Sequence, residues 1–184
     1  MNIEERWIKR IKKSGSHEAA NELISRYYRE MYSFVYKQTI DSELSYDLTQ
    51  EIFISALKSI GNFDPKKASF RTWLYKVASN RVVDYFRSRH YQYRKLTEPL
   101  EESDLEEKEE LIFRLEYKEE VEQIAEAVSK LDTVIQQIVR LKLFGEYTLK
   151  EIEGLLGIPL STVKTRYYAG IKLIKKEMKV NQHD

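Results

Sequence analysis

The sequence predicts an all-α protein of two small helical bundles joined by an acidic linker, the C-terminal bundle containing a helix-turn-helix. Three observations predict it. The 184 residues include only 6 Gly and 3 Pro, few turn-formers for a chain this long, alongside many Leu, Ile, Glu and Lys, which favour helices. Apolar residues recur every three or four positions, and no alternating strand pattern lasts beyond four or five residues. Charge falls in blocks: residues 1–97 carry net +7, residues 98–130 net −9 and residues 131–184 net +3. Basic blocks are drawn to polyanions by counterion release, whereas the acidic middle is repelled by them.

The elements follow in order. Residues 2–13 read as a short basic helix. Residues 17–39 place Leu23, Tyr27, Met31 and Phe34/Val35 on one helical face. Asp41 to Tyr46 reads as a polar break, and Asp47 to Ile60 as a second long helix with Leu48, Ile52, Phe53, Ala56, Leu57 and Ile60 inward. The cluster Gly61-Asn62-Phe63-Asp64-Pro65 is a turn. Residues 69–89 form a third helix with Phe70, Trp73/Leu74, Val77, Val82 and Phe86 as its apolar set. Periodicity then fades through Pro99 and the acidic run Glu101 to Glu110, and returns from Leu111. The expected boundaries are a first bundle at 1–95, a linker at 96–114 and a second bundle at 115–184.

Several function classes are excluded. With no cysteine there is no disulfide framework and no thiolate metal site, and His17, His90 and His183 lack ligand spacing. Neither a metal nor another cofactor is expected. The opening MNIEERWIKRIKK lacks the apolar core of a signal peptide, and no run approaches the roughly 18 apolar residues that span a bilayer. A cytoplasmic protein without membrane insertion is expected. Asp84 has no partner carboxylate, histidine or nucleophile arranged around it, so the chain does not read as an enzyme.

Two segments carry the chemistry. In 148–178, Thr148 and Glu151 make a capping box, Gly157 a positive-φ stop, Ile158 a plug, and Pro159 the entry to a second helix. That helix buries Val163, Tyr167, Ile171 and Ile174. Ser161, Thr162, Lys164, Thr165 and Arg166 are left outward, donors suited to base edges and phosphates in a major groove. An ordinary helical hairpin with a solvated face shares part of this pattern. The second segment, Phe70 to Tyr93, interleaves aromatic residues with Arg71, Lys76, Arg81, Arg87 and Arg89. Cations track phosphates while aromatic and guanidinium planes stack on unpaired bases, a combination suited to single-stranded nucleic acid. Phe70, Trp73 and Phe86 fall on the apolar face and read as core. The loop from Asn62 to Ser69, with Lys66 and Lys67, fits an extruded base or a plain turn, and the sequence favours the turn.

Together these segments resemble the extracytoplasmic-function (ECF) type of sigma factor in the sigma-70 family. DLTQEIFISALKSIGNFD at 47–64 is similar to the family's region 2.2, FRTWLYKVASNRVVDYFRSR at 70–89 to regions 2.3 and 2.4, and residues 131–174 to region 4. Order and spacing match as well. The resemblance implies a non-enzymatic subunit that binds RNA polymerase core, at the β′ clamp helices and β flap, and directs promoter-specific initiation. It implies polymerase docking through Asp47, Gln50, Glu51 and Phe53. Capture and melting of the −10 element would fall to Phe63, Asp64, Lys66, Lys67, Arg71, Lys76, Asn80, Arg81 and Arg87. Readout of the −35 element would fall to Ser161, Thr162, Lys164, Thr165 and Arg166. The partners implied are duplex promoter DNA, its melted non-template strand and an anti-sigma factor. The acidic linker would thread a polymerase channel lined for a polyanion, or simply tether the bundles.

The chain departs from the family pattern at Asp132, where proline usually follows leucine, at Ala169, where a basic residue is common, and at Glu153, where a small residue is usual. A buried Glu153 would be costly. A conventional helix-turn-helix regulator with an N-terminal interaction domain is the alternative reading. It accounts for the C-terminal half alone and predicts dimers on palindromic sites.

Overall fold

The structure, a computed structural model, describes residues 2–88 and 120–181. The expected linker at 96–114 lies outside them. Helix α1 is Ile3–Ser14, α2 His17–Thr39, α3 Ser42–Ser59 and α4 Phe70–Arg87, with a single 3-10 turn at Ile60–Asn62. Helical residues 120–129 form α5. They are followed by α6 (Thr133–Leu143), α7 (Leu149–Leu156) and α8 (Leu160–Asn181). No strand occurs among the described residues.

Local chemistry sets the helix boundaries. The Asn2 side chain accepts from the Glu4 amide, and Gly15 closes α1 at φ 62, a left-handed conformation that costs glycine little. Ser16, Asp41, Ser69, Asp132 and Thr148 cap α2, α3, α4, α6 and α7 with their side-chain oxygens. Each such cap is worth about 1 kcal/mol.

The polar break expected at 41–46 is a helix start. Asp41 accepts from the Leu44 amide at 2.9 Å, and Ser45 is buried with its hydroxyl 2.7 Å from Thr39 Oγ1. Asp, Ser and Glu at these positions are capping chemistry, and α3 therefore begins five residues ahead of Asp47.

In the first bundle α2, α3 and α4 bury Leu23, Met31, Phe34, Ile52, Leu74 and Val82 almost completely. Burial of side chains of this size contributes about 1.5–3 kcal/mol each. In the second bundle α6 crosses α8 closely because Gly170 has no side chain: a Cβ there would lie 2.6 Å from Ile135 Cγ2. The two bundles also touch, with α6 and α7 resting on α4. One apolar cluster runs from Phe86 and Tyr75 through to Ile138, Leu141, Tyr147 and Ile152.

Candidate nucleic-acid interface

The exposed side of α8 carries Ser161, Lys164, Thr165, Tyr168, Lys172, Lys175 and Lys176. No carboxylate stands among its exposed described residues. Successive turns thus present hydroxyls and cations to one side, the arrangement that phosphates and base edges accept. Thr162 and Arg166 are half-buried at the margins of this stripe. Val163 and Ile174 are buried, while Tyr167 and Ile171 pack against the core at its edge. Tyr168, 64% exposed, is the large residue that the family motif left unassigned. Its signal in the sequence is its place one turn beyond Lys164 and Thr165.

Glu153 is the device that aims this helix. Its Oε1 accepts from the Leu160 backbone amide at 3.1 Å, and its Oε2 pairs with Lys150. The carboxylate therefore caps the first turn of α8 from the preceding helix, where a helix dipole favours negative charge. The Lys150 ammonium and then the Leu160 amide hold its pKa below the ordinary value. Glu153 is not the buried, costly acid that a small-residue position implied.

The basic-aromatic helix α4 is held differently. Phe70 and Phe86 are buried and Trp73 is partly buried. Lys76, Asn80 and Arg87 stand at the surface. Arg71 donates from Nε to Glu30 Oε1 at 2.6 Å, and from Nη1 to the Tyr147 hydroxyl at 3.3 Å. Arg81 binds Glu51 of α3 through Nη2 at 2.6 Å. Burial, then Glu30, pushes the Tyr75 phenol well above its ordinary value, and burial lifts Tyr147 to about 12, so both act as neutral hydroxyls.

The loop ahead of α4 is an ordered turn. The Asp64 carboxylate accepts from the Lys66 amide at 3.0 Å, and Lys12 Nζ donates to the Phe63 carbonyl at 2.6 Å. Phe63 is 5% exposed and meets Phe70 and Trp73 edge-on or tilted. It anchors the turn from inside while Lys66 and Lys67 point outward.

On α3, Asp47 and Gln50 are exposed and Glu51 is half-buried. Phe53 is 6% exposed and stacks on Tyr28 at 6.2 Å, so it supports the outer face from below. That face displays Tyr46 and Ile54, 53% and 50% exposed. Alongside it Tyr28, Tyr32 and Tyr36 stack in sequence along α2. Exposed apolar and aromatic groups interspersed with polar ones mark protein contact surfaces. No candidate metal cluster of His, Cys, Asp and Glu occurs among the described residues.

Known proteins match this architecture. Residues 23–91 match sigma-70 region 2, and residues 121–174 match sigma-70 region 4. The ECF RNA polymerase sigma factor SigW of Bacillus subtilis is 29% identical over 182 residues, spanning 94% of this chain and 95% of that protein. The sigma factor YlaC of the same organism is 28% identical over 164 residues, 88% of this chain and 92% of that one. Among solved structures, CnrH in complex with the cytosolic domain of CnrY has the same fold. Its TM-score is 0.59 at 18% identity, covering 97% of this chain and 99% of that one. Two regions matched in family order, on bundles that present the two basic helices just described, place the chain in the sigma-70 family as an ECF-type sigma factor, a transcription-initiation subunit and not an enzyme.

Proposed function

We propose that the bundle at 1–95 docks on the polymerase β′ clamp helices and handles the −10 element, and that the bundle at 115–184 reads the −35 element beside the β flap. The observation that carries this division is the acid-free exposed stripe on α8, in a different bundle from the basic-aromatic α4. In this reading Ser161, Lys164, Thr165 and Tyr168, flanked by Thr162 and Arg166, enter the major groove, and Lys172, Lys175 and Lys176 follow the phosphates. Lys66, Lys67, Arg71, Lys76, Asn80, Arg81 and Arg87 capture melted non-template DNA, with Phe63 and Asp64 fixing the turn that presents it. Tyr46, Asp47, Gln50 and Ile54 form the polymerase-docking face, buttressed by Phe53 and by the Glu51–Arg81 pair.

Regulation by an anti-sigma factor belongs to the same reading. CnrH was solved with the cytosolic domain of CnrY, and an RpoE with the anti-sigma factor NepR from Bartonella quintana, at a TM-score of 0.50 and 13% identity. A cytoplasmic site of action goes with it. No described helix is long and apolar enough to cross a membrane.

Reconstituted transcription tests the proposal. The protein is added to sigma-free core polymerase with a genomic fragment pool, and transcript starts are sequenced. Starts that require this protein and share two spaced upstream elements are expected. Core binding without new starts, on fragments from the source genome, contradicts the promoter assignment, and no core binding leads back to a conventional DNA-binding regulator.

A further inference from the structure

Helix α1 lies ahead of residue 23, where the match to sigma-70 region 2 begins, yet it is fastened to the first bundle at both ends. Near its start Glu4 accepts from the Tyr27 hydroxyl and pairs with Arg26 at 3.5 Å, both on α2. In its middle Ile8 is buried, and Trp7 and Ile11 pack against the core. Near its end Lys12 reaches across 51 positions of chain, and its Nζ donates to the Phe63 carbonyl at 2.6 Å. The same Nζ lies 3.4 Å from the Gly61 carbonyl, a second acceptor, and 5.7 Å from the centre of the Phe63 ring. One cation thus holds two carbonyls at the point where the 3-10 turn gives way to the 62–69 loop.

Carbonyls at the end of a helix lack intrahelical partners, and a charged donor binds them more strongly than a neutral one. Phe63 is therefore gripped twice: at its backbone by Lys12, and at its ring by Phe70 and Trp73, each with its centre 5.6 Å away. From that anchor the loop has little freedom. The Lys67 amide donates to the Asp64 carbonyl at 3.0 Å, and the Lys66 amide to the Asp64 carboxylate at 3.0 Å. At the far end Ser69 caps α4 by accepting from the Thr72 amide at 3.1 Å. Lys66 and Lys67 stand outward just beyond the Asp64 turn, so a shift of the Phe63 backbone is carried directly to them. We infer that α1 braces this loop and that Lys12 is a positioning residue for −10 capture. It sets where Lys66 and Lys67 meet the melted strand without touching the strand itself. Lys12 is exposed, so its removal costs the bundle little. The inference rests on the proposed placement of the 62–69 loop at the −10 element.

A crosslinker on the loop reads its position directly. The photoreactive residue p-benzoylphenylalanine replaces Lys66, an exposed position, in the full chain. The protein is assembled with core polymerase on a promoter recovered by start mapping, open complexes are irradiated, and crosslinked nucleotides are mapped. The same is done with Lys12→Met, which keeps the apolar stem and removes the donor, and with Lys12→Arg, which keeps a charged donor. Core binding and thermal stability of all three are measured alongside. With Lys12 present, crosslinks should concentrate on one nucleotide of the −10 non-template strand. Lys12→Met should spread them over its neighbours, lowering the share at that nucleotide by about twofold or more as the loop samples other positions. Lys12→Arg should narrow the distribution again, and core binding should stay unchanged throughout. Equal distributions from the unsubstituted and Lys12→Met proteins would overturn the brace, as would a spread that Lys12→Arg does not narrow. Loss of core binding in step with the spread would also overturn it, by making Lys12 a general support of the bundle. If position 66 reaches no −10 nucleotide even with Lys12 in place, the assignment of the loop fails first, and the brace falls with it.

Discussion

Helix α4 buries eight residues along its length and lends the tips of Arg71, Asn80 and Arg87 to the neighbouring bundle. Helix α8 keeps Ser161, Lys164, Thr165, Tyr168 and Lys172 in solvent, with its first turn fixed by Glu153. Both are basic helices proposed to bind DNA, but their targets differ. Duplex DNA is reached by a convex helix that can be ready before the DNA arrives. Unpaired bases need an open surface with aromatic walls, which is also a good surface for another bundle to cover. The comparison teaches that similar composition gives one helix whose polar tips stand in solvent and another whose polar tips are engaged by a neighbouring bundle.

The largest expected effect lies on α4. Asn80→Ala with Arg81→Ala removes two groups proposed to face the melted strand. At about 1–3 kcal/mol for each base contact, open complexes should fall on the order of a hundredfold with core binding intact. Permanganate reactivity of −10 thymines reports this. The Glu51–Arg81 pair is exposed enough that its loss costs about 1 kcal/mol or less. Glu51→Gln should therefore leave melting nearly unchanged, and an equal loss there would make Arg81 a brace between α3 and α4.

Next in size is the docking face. Tyr46→Ala with Ile54→Ala should weaken core binding by about tenfold, measured by fluorescence anisotropy, while thermal stability barely moves because both side chains already face water. On α8, Arg166→Ala should cost about 1–3 kcal/mol of −35 affinity. Lys172→Ala should lower the salt slope of binding by about 1 without changing sequence preference. Unchanged affinity in the first case would remove Arg166 from the readout.

The sequence made much of this legible. Gly157, at φ 71, ends α7 as its type and position predict, and the Thr148–Glu151 capping box is present on both sides. Phe70 and Phe86 are core, as their helical spacing indicated. What it did not reveal was long-range. Spacing along one helix cannot show that Arg140 reaches Gln38 across 102 positions of chain, nor that Gln137 meets Asn80. Glu153 looked misplaced because its use is a hydrogen bond to an amide seven residues on. Phe53 and Phe63, matched to a functional motif, are buried, while Tyr46, Ile54 and Tyr168 are exposed although their residue types favour a core. Asp41 to Tyr46 read as loop because capping residues and loop residues are the same polar types.

Smaller effects sharpen the contrast further. Glu153→Ala should destabilise the second bundle and weaken −35 binding, with Glu153→Gln recovering part of both because an acceptor for the Leu160 amide remains. Three carboxylates there have depressed pKa values: Glu146 through Lys37, Glu151 through the Thr148 amide, and Glu153 through Lys150. Their folded values lie below their unfolded ones, so the stability they add is present above about pH 4.5 and is lost as pH falls through the folded values. Thermal melts across this window should decline, and Glu151→Gln should flatten part of the decline.

The most direct measurement maps each helix onto DNA. The photoreactive residue p-benzoylphenylalanine replaces Lys76 on α4 in one protein and Lys164 on α8 in another, both exposed positions. Each is assembled with core polymerase on a mapped promoter and irradiated. The account predicts that position 76 crosslinks the non-template strand at the −10 element only once the complex is open, and that position 164 crosslinks the −35 duplex in closed and open complexes alike. Crosslinks from both positions to one DNA element, or from position 76 to polymerase alone, would contradict it.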